Sequence, residues 1–241
     1  MKFFLGVLVL SLCLVGNALA VIIDDFSASN PGNYTMFNVW NSDGTDSFNV
    51  VDGVFAPVGA SQETEVWLWT GSAERLDVGE TVSLDVVALP DNQEAEIFLT
   101  TTGDQATAGA MAEFRLSVGY DVNEMILRTN TYSEGIVDTY GDDIQTGDLG
   151  GALAPSTIHV TRSADTTFDW ELTGSLTGSG SMDWADAAGI DLFFGMGGYS
   201  GGEYASQMDN LAMGVFYAYD CTYRHAKYSA FKYRSLYCEC S

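Results

Sequence analysis

Apolar residues recur at every second position along most of this chain, an alternation that fits half-buried β-strands and not helices. "ETVSLDVVAL" sets Val82, Leu84 and Val86 on one face and Thr81, Ser83 and Asp85 on the other. "AEFRLSVGY" sets Phe114, Leu116 and Val118 inward, with Arg115 and Ser117 outward. "STIHVTRS" and "TTFDWELTGS" continue the pattern through Ile158, Val160, Phe168, Trp170 and Leu172, and "IDLFFGMGG" through Ile190, Leu192 and Phe194. "DNLAMGV" closes it with Leu211, Met213 and Val215. Clusters of Gly, Asp, Asn and Ser separate the runs, among them "PVGAS", "DVGE", "YGDDIQTGDLGG", "GSLTGSGS" and "GGYSGGE". These residues suit turns through positive φ and local side-chain hydrogen bonds. Only "DWADAAGI" reads as a short helical turn. Many short strands without a fixed repeat predict an all-β antiparallel sandwich or jelly roll, not a propeller or solenoid.

The alternation has two borders. Residues 1–20, "MKFFLGVLVLSLCLVGNALA", carry Lys2, an apolar run from Phe3 to Val15 and the small-residue end Ala18-Leu19-Ala20. That is the pattern of a cleaved secretory signal. A bilayer span needs ~20 apolar residues, and this run is shorter. The mature chain is expected to start at Val21, to lose Cys13 with the signal, and to be secreted or held at the cell surface. At the other border, residues 216–241 are basic and hold half of the chain's 12 tyrosines, together with Cys221, Cys238 and Cys240. Cys238 and Cys240 are too close to bridge each other without strain, so at most one of them pairs with Cys221. A zinc site with His225 would lack the usual C-x₂-C knuckle.

Residues 21–215 form the predicted domain, which carries four arginines, no lysine and all but two of the chain's 33 acidic residues. Such a surface repels nucleic acid and anionic lipid, which are bound through Lys and Arg. It suits solubility in a salty medium, or divalent cations. In a jelly roll the first and last strands commonly neighbour each other. "VIIDDF" and "MDNLAMGV" would then bring Asp24 or Asp25 near Asp209. Carboxylates so gathered are hard oxygen donors of the kind Ca²⁺ takes, which makes these three the candidate ligands of a structural calcium.

Aromatic side chains offer a second chemistry, because sugar rings stack their C–H faces on exposed Trp and Tyr. Trp67 and Trp69 share one face of "EVWLWT", opposite Val66 and Leu68. Either that strand is buried on both sides or the tryptophans line a binding face, which Trp40 and Tyr34 could join. Trp170 is core by phase, and Trp184 lies near a loop. The single histidine of the domain, His159, reads as a surface strand residue.

"IIDDFS…NY", "LDVGETVSLDV", "TIHVTRSADTTFDWELTG" and the closing "DNLAMG" resemble exported bacterial proteins with a concanavalin A-like (laminin G-like) jelly roll, many of which end in a PEP-CTERM sorting tail. The resemblance covers roughly residues 21–215 and implies a β-sandwich at the cell surface or in the extracellular matrix. The sorting tail is missing or replaced, since no Pro follows Pro155 and no apolar span follows Val215. Two readings of residues 216–241 stay open: a segment in a shifted reading frame, or a genuine basic, aromatic tail with a disulfide. Laminarinase-like jelly rolls carry a Glu-x-Asp-x-x-Glu strand motif that this sequence lacks. The pairs Glu63/Glu65 and Glu94/Glu96 have same-face spacing but stand in an acid-rich chain where such pairs arise by chance. The expected function is therefore non-catalytic, with a polysaccharide as the expected partner. A purely structural envelope or biofilm protein and a divergent polysaccharide-active enzyme are the alternatives.

Overall fold

A computed structural model describes residues 21–26, 35–40, 47–51, 53–58, 63–69, 75–90, 93–103, 107–118, 123–133, 136–149, 155–201 and 204–215. The expected signal segment, Tyr34 and the whole tail 216–241 lie outside these residues.

The strands in chain order are β1 (Val21–Asp24), β2 (Thr35–Trp40), β3 (Ser47–Val51), β4 (Val54–Val58), β5 (Glu63–Trp69), β6 (Glu80–Ala88), β7 (Gln93–Thr100), β8 (Gly109–Val118), β9 (Asn123–Ser133), β10 (Ile136–Tyr140), β11 (Ile144–Gln145), β12 (Ser156–Arg162), β13 (Thr167–Gly174), β14 (Gly178–Asp183), β15 (Phe193–Gly201), β16 (Tyr204–Ala205) and β17 (Gln207–Val215). They form two antiparallel sheets. Sheet A runs β14-β13-β12-β6-β17-β4-β3, with β1 also on β17. Sheet B runs β10-β9-β8-β7-β15-β5-β2, with β11 on β9 and β16 on β15. The chain passes repeatedly between the sheets, as from β6 in A to β7 in B and from β14 in A to β15 in B, which makes a jelly-roll sandwich. The first and last strands are neighbours, as the sequence suggested.

The alternation builds the core directly. In sheet A, Val82, Val160 and Trp170 stand in one cross-strand row and Leu84, Ile158 and Leu172 in the next. In sheet B, Met196, Ile97, Phe114 and Leu127 form the equivalent row. All of these residues are buried in one cluster. Phe114 of sheet B meets Phe168 of sheet A at 6.3 Å between ring centroids, and Phe168 meets Trp184 at 6.0 Å. Each such large side chain contributes about 1.5–3 kcal/mol by leaving water.

Several local expectations need correction. Ile190 is exposed, because the strand starts only at Phe193; the residues before it follow a 3₁₀ turn at Ala185–Ala187. Trp184 is buried at the start of that turn. "GSLTGSGS", read as a turn, contains the edge strand β14. Gly180 lies opposite Trp170, and a Cβ there would come within 2.7 Å of the indole nitrogen. Gly178 and Gly180 serve close approach to Trp170, while Gly174, at φ +111°, opens the reversal from β13 to β14 as its turn pattern implied.

Arg162 ties one end of the sandwich together. Its guanidinium donates to the carbonyls of Leu76, Asp165, Ala187 and Ile190 and to the Asp165 carboxylate. Loop carbonyls that no ladder reaches thereby gain charge-assisted partners.

Candidate functional site

Each sheet has a face turned away from the core. On sheet B the outer rows cross from β2 to β9. One row runs Phe37, Trp67, Gly197, Glu96, Arg115, Ile126. The adjacent row runs Thr35, Trp69, Gly195, Phe98, Glu113, Arg128. By register, Trp67 and Trp69 therefore stand in rows opposite to those of the core residues Leu99 and Met196. The glycines of β15 separate the two tryptophan positions from Glu96 and Phe98; Gly195 and Gly197 are buried, as are Glu96 and Phe98 beside them. Trp40 pairs with Glu65 at the far side of β2, past a register shift, and so belongs to the same end of the sheet.

The β7–β9 half of this face carries a buried ion network. The Arg115 guanidinium donates from Nη1 to Glu94 at 2.8 Å, from Nη2 to Glu113 at 3.0 Å and from Nε to Glu96 at 3.2 Å. Glu96 and Glu113 are each 1% exposed. Asn130 donates to the other Glu113 oxygen and accepts from the Gly141 N–H. Arg128 pairs with Asp143 and stands 3.9 Å from Glu113. The hydrogen bond from Arg128 holds Asp143 below the usual carboxylate range, and the bond to Asp143 raises Arg128. Burying a carboxylate without such partners would cost several kcal/mol, on the order of 3–5 when a partner is removed. Glu113, Arg115, Arg128 and Asn130 do not stand out from the sequence as site residues. The usable signal is scarcity: two of the domain's four arginines, Arg115 and Arg128, stand beside the buried Glu113.

On sheet A, β1 pairs with β17 and brings Asp24 beside Leu211, while Asp209 lies directly opposite Asp85 of β6. Asp24 is buried and accepts from the Phe26 N–H at 2.7 Å; Asp25 is exposed. Burial raises the Asp209 carboxyl, an Asn210 N–H bond opposes that, and the carboxylates of Asp85, Asp25 and Asp24 raise it further. Asp85, which the sequence did not single out, faces Asp209, and its oxygens accept from Thr157 and Asn210. Among the described residues no three His, Cys, Asp or Glu side chains stand together as a group that could hold a metal ion.

His159 occupies the outer face of sheet A, as its phase implied, but it is buried, not surface-exposed. Its Nε2 lies 3.0 Å from the Thr173 hydroxyl, and burial depresses its pKa to about 4 against the opposing pull of Asp85. Ser83, its cross-strand partner, is buried beside it.

No protein-family model and no curated protein matches the chain. Several solved structures are similar to it at low identity. A β-1,3-1,4-glucanase (lichenase) derived from a mouse hindgut metagenome is 10% identical over 81% of this chain and 97% of its own, with a TM-score of 0.49. A Bacillus licheniformis β-glucanase is 12% identical over 84% and 100%, with a TM-score of 0.48. A legume lectin-like domain from Entamoeba histolytica is 10% identical over 76% and 89%, with a TM-score of 0.47.

Proposed function

We propose that this protein is an exported, non-catalytic carbohydrate-binding β-sandwich whose ligand lies across the outer face of sheet B. The observation that carries the reading is the register of β5, β15 and β7. It puts the Trp67 and Trp69 positions in the same rows as Gly195, Gly197 and the buried Glu96–Arg115–Glu113 network, which reaches solvent through Glu94. Aromatic platforms beside fixed hydrogen-bonding groups are what a sugar ring requires: a flat apolar contact and directional partners for its hydroxyls.

The same network argues for binding over hydrolysis. Glu94, Glu96 and Glu113 are held around one guanidinium, which takes their oxygens as acceptors. Glycoside hydrolysis needs one carboxyl carrying a proton toward the glycosidic oxygen and a second carboxylate facing the sugar or a water.

The test is retention of the purified protein on insoluble and soluble polysaccharides. Saturable binding that is lost on Trp67→Ala and Trp69→Ala, in variants with unchanged melting temperature, would support the reading. A well-folded protein that binds no polymer would leave the structural envelope or biofilm role in its place. Release of reducing sugar, abolished by Glu96→Gln, would favour the enzyme reading instead. Export is checked separately: the protein recovered from the medium should begin at Val21.

A further inference from the structure

We infer that the polymer bound on the outer face of sheet B is an uncharged one, and that uronate-bearing and sulfated polysaccharides are turned away. This rests on the carbohydrate-binding reading and adds the class of ligand to it.

The inference comes from the balance of charge on that face and from where its cations point. Glu94, Glu96, Glu113, Glu124 and Asp143 belong to its β7–β9 half, against Arg115 and Arg128. An acidic polysaccharide is normally held by guanidinium or ammonium groups turned toward it, since those give the charge-assisted, bidentate contacts that carboxylate and sulfate reward. Here all three nitrogens of Arg115 are directed into the sheet, one to each of three glutamates, and its side chain is 9% exposed. Arg128 faces Asp143 and Glu113, with its side chain 16% exposed. Arg75, near the end of the same face, lies 4.5 Å from the centroid of the Phe193 ring and 2.8 Å from Asp191. Arg162, the last cation of the domain, is buried in sheet A and bonded to loop carbonyls.

An incoming anion would therefore meet excess negative charge, with each described cation already bonded within the fold. The net charge of the whole chain, −24, extends that repulsion beyond the face and would slow the approach of a polyanion. A neutral glycan escapes both penalties. Its hydroxyls can donate to the carboxylate oxygens of Glu94 and Glu124, and its C–H faces can stack where Trp67 and Trp69 stand. A cationic amino-sugar polymer would also be attracted. That attraction would be long-range and would fade in salt, whereas stacking and hydroxyl hydrogen bonds would not.

The experiment is affinity electrophoresis of the full purified chain in gels cast with xyloglucan, galactomannan, mixed-linkage β-glucan, alginate, carrageenan or chitosan, at low and high salt, with pull-down on cellulose and chitin alongside. The expected result is retention by at least one neutral polymer, unchanged by salt, and none by alginate or carrageenan even at low salt. The double variant Glu124→Gln, Asp143→Asn removes two carboxylates and releases Arg128, and should gain several-fold retardation by alginate. Glu124→Gln alone, on a partly exposed side chain, should gain less and guards against a folding defect in the double variant. Retardation of the unmodified protein by alginate or carrageenan would overturn the inference while leaving carbohydrate binding standing. So would binding to chitosan alone that disappears in salt. Failure to bind any of the polymers would instead strike at the carbohydrate-binding reading itself.

Discussion

Arg115 and Glu113 stand two residues apart on one strand, and the guanidinium Nη2 donates to Glu113 Oε2 at 3.0 Å with both side chains nearly closed to solvent. Residues at i and i+2 of a strand share a face, so β8 supplies both members of the pair and the neighbouring β7 supplies Glu94 and Glu96 to the same cation. Removing the cation leaves buried carboxylates facing one another. Arg115→Leu is expected to destabilise the fold by about 3–5 kcal/mol. Adding Glu96→Gln and Glu113→Gln to it should recover a large part of the loss, since amides do not repel. Urea unfolding of the parent, the single variant and the triple variant measures this. A single variant as stable as the parent would show that the network contributes nothing to folding.

His159 is expected to make stability fall in mild acid. Its folded pKa is depressed to about 4, chiefly by burial, below an ordinary value of 6.5. The unfolded chain therefore takes up a proton first. The contribution is fully present above pH 6.5 and is lost as pH falls from there through about 4. At ~1.4 kcal/mol per pKa unit the loss is on the order of 3 kcal/mol. His159→Gln removes the titration, so the drop across this window should flatten. Melting curves for both proteins across the window decide the matter, and parallel curves would mean that His159 does not drive the pH dependence.

Asp209 acts with the opposite sign. Its folded pKa is raised, first by burial and then by Asp85, Asp25 and Asp24. Its contribution is present below the ordinary aspartate range and is lost as pH rises through the folded pKa. Asp209→Asn keeps an oxygen for the Asn210 N–H and drops the charge. The variant should melt higher than the parent at about pH 7 and equally at about pH 3, well below the usual aspartate pKa. The same melts with calcium and with chelator bear on the expected cation. If calcium raises the parent alone, an ion bridges these acids; melting curves that ignore both additives end that expectation.

The fold was largely legible because the burial that drives it is periodic along each strand. Val82, Leu84, Val86, Phe114, Leu116, Ile158 and Val160 all face the core that their alternation implied. Site chemistry was less legible for a physical reason. Whether Arg115 points to water or into three carboxylates depends on the register of β7 against β8, a long-range pairing that alternation within either strand does not encode. The same holds for Trp67 and Trp69. Their strand read as apolar on both faces, and only its pairing with the glycines of β15 distinguishes a core row from an outer one. His159 shows the converse: phase gave its face correctly, but burial on that face comes from what neighbouring strands carry.

Glycine in "GSLTGSGS" looked like a turn signal because the sequence shows what a glycine permits and not what sits beside it. In β14 the neighbour is the Trp170 ring. A Cβ at Gly180 would fall 2.7 Å from the indole nitrogen and 3.0 Å from two ring carbons, closer than real Cβ atoms come without a shift. Trp170 cannot retreat easily, for its other side packs in the core beside Val160 and Leu172. Overpacking of this kind costs about 1–3 kcal/mol. Gly180→Ala should therefore destabilise the protein by that amount, although alanine has the better intrinsic fit to an extended backbone. Trp170→Phe, which shortens the ring, should relieve the clash, so the double variant should lose less than the sum of the two single changes. A double-mutant cycle in urea measures the coupling. Strict additivity would mean that the edge strand simply moves outward, and that the glycines of β14 are not selected by the tryptophan beneath them.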